Sequence, residues 1–170
     1  MFRRPESKIV SRESLGELVK KLHASGKKIV TTNGCFDLLH WGHIAYLCEA
    51  RGLGSILICG LNSDISVKKI KGPSRPLVDE NTRLLQVAGL EAVDYVTLFP
   101  EGTPEAFLEI VRPHFHVKGG DYRPEDLPEK AVVEKHGGQV KCLKMVPGFS
   151  TTELVNKLVS LRAEGEANLE

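Results

Sequence analysis

A five-stranded, open, doubly wound parallel sheet with helices on both faces is the fold this sequence predicts, and three observations carry it. Apolar β-branched runs alternate with stretches of helical periodicity five times along the chain, the pattern of successive strand-helix units. Residues 55–61 (SILICGL) are apolar at both parities, as a strand covered on both faces requires. The most conspicuous loops, after Thr32, Leu61, Val117 and Val146, all follow strands, so they converge on one edge of the sheet, where open α/β sheets bind ligands.

Each element has its local reasons. Ser11 is placed to cap a helix running to Ser25, with Leu15, Leu18, Val19 and Leu22 on one face and Gly26 as its stop. Ile29, Val30, Thr31 and Thr32 form the first strand, ended by the turn residues Asn33-Gly34. From His43, the residues Ile44, Tyr46, Leu47 and Ala50 define the inward face of a helix that closes at Arg51-Gly52, so His40-Trp41-Gly42-His43 sits at a helix start. Residues 64–79 read as a cationic loop with Lys68, Lys69, Lys71 and Arg75, punctuated by Gly72, Pro73 and Pro76; it is either plainly solvated or turned toward a phosphate. A helix over 79–89 and a strand over 95–99 follow, then a helix opened by Thr103 as cap and Pro104 at its first position. Residues 114–117 make a strand running into Lys118-Gly119-Gly120-Asp121-Tyr122, followed by a helix over 129–136 and a strand over 140–146. The last helix starts at Ser150 or Thr151, carries Leu154, Val155, Leu158, Val159 and Leu161 as apolar positions, and is expected to fray beyond Ala163. The expectation is one domain over 1–170, a three-layer, Rossmann-like α/β/α arrangement.

Composition excludes several function classes. The 23 basic residues nearly balance the 22 acidic ones, so no global field calls for nucleic acid or an anionic membrane, and any cationic site is local. No secretory apolar segment and no run of about 18 apolar residues is present, so neither export nor membrane spanning is expected. Cys35, Cys48, Cys59 and Cys142 lack metal or redox spacing, and Cys48 and Cys59 fall in apolar segments, so buried free thiols and a cytoplasmic setting are expected.

Residues 28–47 hold the densest chemistry. Free N–H groups and the positive dipole end at a helix start favour a bound phosphate, and two imidazoles beside it add donors. Gly42 removes a Cβ that would block a ligand, and Gly34 can do the same one loop earlier. The competing readings are a metal-binding His pair, which has no evident third ligand, and ordinary core histidines.

The pattern G-x-F-D-x-x-H-x-G-H, here Gly34, Phe36, Asp37, His40, Gly42 and His43, resembles the signature of the HxGH nucleotidylyltransferases. NSDISVKKIKG at 62–72, VKGGDY at 117–122 and VPGFSTTELVNKL at 146–158 further resemble the ADP-heptose synthase type, the D-glycero-β-D-manno-heptose 1-phosphate adenylyltransferases, from about Lys8 to Leu161. The resemblance implies that His40 and His43 contact ATP phosphates, with Lys68 or Lys71 neutralising charge at the reacting phosphorus. It implies that Asn33, Gly34, Cys35, Phe36 and Gly42 lie against the nucleotide, with Lys118, Gly119 and Asp121 near base or ribose. Ser150, Thr151 and Thr152 match the block holding the β- and γ-phosphates, the competing reading being an ordinary helix cap. Relatives often carry an arginine three positions after that block's last threonine, where this chain has the apolar Val155, with Lys157 two positions further on. Trp41 fills the motif's variable position, and its indole is expected at the rim.

What the resemblance implies chemically is attack of a sugar 1-phosphate on the α-phosphorus of ATP, with Mg²⁺ on the phosphates, giving a nucleotide-sugar and pyrophosphate. Such a transfer needs aligned, neutralised polyanions more than covalent catalysis, and no Ser-His-Asp or Cys-His arrangement is evident. The alternatives are a cytidylyltransferase for glycerol phosphate or an amino-alcohol phosphate and, in another class, a non-catalytic nucleotide-binding module. Against the first, the R-T-E-G-I-S-T-T of those relatives is here Lys144-Met145-Val146-Pro147-Gly148-Phe149-Ser150-Thr151-Thr152; against the second, both motif histidines are present. With about 27 residues before the first strand, too few for a kinase domain, a separate sugar kinase is expected to supply the substrate. A homodimer is expected from family resemblance alone.

Overall fold

The computed structural model describes residues 3–120, 122–144 and 146–167. Among them, five strands form one all-parallel sheet: β1 (Ile29–Gly34), β2 (Ile56–Asn62), β3 (Tyr95–Phe99), β4 (Phe115–Gly119) and β5 (Gln139–Leu143), in the spatial order β3-β2-β1-β4-β5. From β1 the chain winds outward through β2 and β3, then crosses back to lay β4 on the other side. The order therefore reverses between β1 and β4, where a crevice opens at the carboxyl ends of the strands.

Strand alternation sends neighbouring residues into two separate cores. Val30, Leu57, Cys59 and Leu61 pack on one face under α2 (Trp41–Gly52) and α4 (Glu80–Ala88), meeting Leu47, Ala50, Leu84 and Val87. Ile29 and Ile58 point to the other face, where α1 (Arg12–Ala24), α5 (Glu105–Val111) and α6 (Lys130–Lys135) contribute Leu15, Val19, Phe107, Leu108 and Val133. Each fully buried Val, Leu, Ile or Phe side chain among them is worth about 1.5–3 kcal/mol of transfer free energy.

Capping explains most boundaries. Ser11 accepts from the Ser14 amide at the start of α1, and Asp79 accepts from the amides of Asn81 and Thr82 at the start of α4. The cationic stretch departs from expectation, because Lys68, Lys69 and Lys71 lie on a helix, α3 (Asp64–Lys71). Ser63 caps it, Asp64 occupies its first turn, the lysines fill its last turn where the dipole favours cations, and Gly72 ends it at φ 98°. At α5 the cap is Pro104, not Thr103, whose hydroxyl donates instead to Glu105. β4 and β5 end together, since Gly119 pairs with Leu143, so β5 stops short of Val146. Cys59 is buried but Cys48, expected inside, is exposed on α2; Tyr46, Leu47 and Ala50 take the inward face. The final helix, α7 (Thr151–Ala167), runs past Ala163, and its Leu154, Leu158, Val159 and Leu161 are exposed.

Candidate active site

A cleft of about 740 Å³ occupies the crevice, a size typical of small-molecule sites. Its floor is the end of β1. Asn33, Gly34 and Cys35 line it, and the chain then turns through Phe36 at φ 48°, a left-handed conformation rare for a bulky residue and characteristic of functional loops. The turn folds the buried Phe36 ring back over Gly34, where an added Cβ would stand 3.2 Å from that ring. Gly34 is thus needed by its own loop more directly than by an approaching ligand. The same ring packs on His43, with centroids 5.5 Å apart.

His40 is the cap residue of α2, with extended backbone angles, and its carbonyl accepts from the amides of His43 and Ile44. The amides of Trp41 and Gly42 are left without a partner among the described residues, giving the helix start the free donors that attract anions. The His40 and His43 rings lie 3.9 Å apart, and the Nδ1 atom of each is buried without a hydrogen-bond partner. Burial and the neighbouring His40 hold the His43 imidazole down at about 4, and burial also lowers His40, so both are neutral at pH 7 in the free protein. An approaching polyanion favours their charged forms. Gly42 makes this pairing possible, because a Cβ there would meet the His40 ring at 3.0 Å and the Phe149 Cβ at 3.1 Å. Trp41 stands at the rim, 54% exposed.

The start of α7 faces this motif. Phe149 stacks on His40 with centroids 6.4 Å apart, and the Thr151 hydroxyl donates to the Leu38 carbonyl at 3.4 Å. Thr151 and Thr152 line the cleft, whereas Ser150 does not and instead accepts from the Glu153 amide as the helix cap. From the β2 side, α3 contributes Val67, Ile70 and Lys71, while Lys68 points elsewhere. From β4 come Lys118 and Gly119, with Tyr122 beyond. Asp121 lies outside the described residues, and Lys157 is an exposed residue away from the cleft.

Sequence reasoning missed three residues that shape the cleft. Asp37, read only as part of the motif, accepts from the Leu77 and Val78 amides at 2.8 and 3.0 Å and pairs with Arg75 at 3.0 Å. It therefore clamps the 72–78 loop over the site, and the F-D of the motif was the available signal. Arg83 is fully buried and donates to the carbonyls of Val78, Cys35 and Asn62 and to the Asp64 carboxylate, tying together the ends of β1 and β2, the start of α3 and the clamped loop. Glu129, 2% exposed, pairs with Lys118 at 2.8 Å.

Charge is unevenly spread over this surface. Arg75 is matched by Asp37 and Lys118 by Glu129, so among the described cleft residues Lys71 is the cation with no ion-pair partner. The cleft thus has a positive side, with Lys71 and two helix starts beside the neutral His43 imidazole, and a neutral polar side at β4. The described residues offer no group of three or more His, Cys, Asp or Glu able to hold a metal. The two carboxylates in the cleft are already engaged by cations, so a divalent ion fits here only as part of a bound polyphosphate. No described helix is long and apolar enough to cross a membrane.

Comparison with known proteins agrees with this geometry. The chain is 49% identical over 154 residues to the bifunctional protein HldE of Trichlorobacter lovleyi, covering 91% of this chain and 31% of that protein. It is 48% identical over 161 residues to the bifunctional protein HldE of Geobacter metallireducens, covering 95% of this chain and 32% of that one. The chain thus spans about a third of the length of these curated relatives. Among solved structures, the lipopolysaccharide core biosynthesis protein from Thermoplasma volcanium is 32% identical with a TM-score of 0.59, over 71% of this chain and 98% of that one. Residues 31–156, from the middle of β1 into α7, match the cytidylyltransferase-like family, and the chain belongs to that family.

Proposed function

We propose that this chain is an adenylyltransferase that joins ATP, as its magnesium complex, to a sugar 1-phosphate, heptose 1-phosphate foremost, releasing pyrophosphate. The observation that carries the reading is the pair of buried, unpartnered Nδ1 atoms on His40 and His43, set at a helix start in the crevice between β1 and β4. Orphaned buried nitrogens cost stability unless a ligand completes them, and a triphosphate meets that need. A phosphate oxygen of the sugar attacks the α-phosphorus; that P–O bond forms as the bond to the β-phosphate oxygen breaks, and pyrophosphate leaves with the electron pair. The nucleophile is already ionised at pH 7, so the protein contributes alignment and charge neutralisation. His40, His43, Lys71 and the starts of α2 and α7 neutralise the phosphates, while Gly119, on the neutral side, receives the nucleoside end. Likeness to proteins named for two functions and for lipopolysaccharide core biosynthesis supports the sugar assignment. On this reading residues 1–170 act as one transferase unit in the cytoplasm, as a homodimer, and a sugar kinase activity elsewhere supplies the substrate.

The test supplies purified protein with ATP or CTP, Mg²⁺, and heptose 1-phosphate, heptose 7-phosphate or glycerol phosphate. Pyrophosphate is expected from ATP with the 1-phosphate, and no ADP from any mixture. Preference for CTP with glycerol phosphate would replace the reading by cytidylyl transfer, and binding without turnover by a nucleotide-binding module.

A further inference from the structure

A buried carboxylate is out of place in a cleft for polyanions, since it repels the phosphates unless something compensates it. Glu129 is such a group, brought in at the start of α6, and two basic side chains stand against it. Its Oε1 lies 2.8 Å from Lys118 Nζ and 3.7 Å from Nε2 of His116. His116 is fully buried in β4, and its Nδ1 stands 2.9 Å from the Thr31 hydroxyl in β1. Burial disfavours the charged imidazole, and the neutral tautomer with its proton on Nε2 is the one that turns a donor toward Glu129. Burial alone raises the Glu129 carboxyl, but His116 and Lys118 draw it down to about 2, and it is an anion at any working pH.

Of the two basic partners, Lys118 reaches the reaction site. Thr32 is in register with Val117, so the next residues, Asn33 and Lys118, stand side by side across the crevice where the strand order reverses. Lys118 donates to Asn33 Oδ1 at 3.1 Å. An amide whose oxygen is held this way has its N–H₂ left over, and Asn33 Nδ2 has no partner among the described residues while Asn33 lines the cleft. A lysine on a flexible four-carbon stem does not hold such a geometry unaided. Freed of Glu129, its ammonium would swing toward any phosphate nearby.

We propose that Glu129 is a positioning residue: it fixes the Lys118 ammonium, which in turn locks the Asn33 carboxamide with its N–H₂ aimed into the cleft as a donor to the nucleotide phosphates. The inference rests on the nucleotidyl-transfer reading above. It explains why a carboxylate is kept beside a polyanion site and why Lys118, though cationic, leaves the charge of this side of the cleft at zero.

The test combines kinetics with a readout that needs no turnover. In ¹⁵N-labelled protein the Asn33 side-chain amide, identified by its loss in Asn33→Asp, is expected to be rigid in the wild type and motionally averaged in Glu129→Gln. Glu129→Gln is expected to lower kcat about tenfold or more through misplacement of a donor, with KM for ATP and Tm nearly unchanged. Lys118→Met should lower kcat similarly, and the double variant should be no worse than Lys118→Met alone, since the two residues act through one contact. Wild-type kcat in Glu129→Gln, an unaltered Asn33 amide, or effects that multiply in the double variant would overturn the proposal. Should a single variant fail to fold, the double variant, which buries no unpaired charge, must show the loss in a folded protein. A wild type that releases no pyrophosphate would defeat the functional reading, while the amide readout would still decide the positioning role.

Discussion

Replacing His43 with Asn is expected to lower kcat by about 10²-fold or more, the cost of removing one preorganised donor to developing charge, while Tm stays nearly constant. The two outcomes separate because the side chain has little to do for the fold. Its Nδ1 is buried without a partner, its imidazole is held near 4 by burial and by His40, and its ring is only in part covered by Phe36 and His40. Asparagine keeps a donor of shorter reach and removes an unsatisfied nitrogen, so the free protein loses almost nothing. Pyrophosphate release and a thermal melt on the same preparation check both halves. A variant that unfolds yet keeps its specific activity when folded would show that His43 is a structural residue.

Arg83→Ala is expected to cost about 3–5 kcal/mol of stability, the usual result of stripping one partner from a buried charged network. For a chain of this size that lowers Tm by about 10 °C. Arg83 bonds to the carboxyl ends of both β1 and β2, through the Cys35 and Asn62 carbonyls, while its other donors hold Val78 and Asp64. Alanine leaves three carbonyls and a carboxylate without their donor, and Lys cannot replace a planar fork that serves four acceptors. Since Cys35 and Asn62 border the cleft, activity should fall along with stability even well below Tm. Denaturant unfolding with circular dichroism measures the loss; a change under 1 kcal/mol would mean that the network contributes little to holding the strand ends.

Local chemistry was legible in the sequence wherever it set its own conformation. The β-branched run from Ile29 to Thr32, the apolar character of residues 55–61 at both parities and the cap Ser11 each act within a few residues, and the sheet and most helices follow from such signals. α3 was misread because its lysines and the following Gly72-Pro73 look like a loop, whereas Ser63 and the dipole make the same residues a helix end. Cys48 shows the limit of reading apolar context without angular position on the helix. In the site, the histidine pair and Thr151-Thr152 could be found from the motif blocks; His43, Thr151 and Thr152 line one cleft, and His40 packs against His43 beside it. Arg83 and Glu129 could not be found, because what they do depends on partners far away in sequence: Arg83 reaches back to Cys35, and Glu129 to His116 and Lys118. An arginine in a helical pattern and a glutamate at a helix start are ordinary until the sheet brings those partners alongside.

The central claim is that both substrates meet directly in this cleft, with no protein atom interposed at the α-phosphorus. The geometry offers neutral donors and a free cation there, and among the described cleft residues no nucleophile with an adjacent base. The most direct measurement uses ATP carrying a single-configuration α-phosphorothioate and reads the configuration of the nucleotide-sugar product by ³¹P NMR. One in-line displacement predicts inversion at phosphorus; retention would reveal two displacements through a covalent nucleotidyl-protein intermediate and would contradict the account.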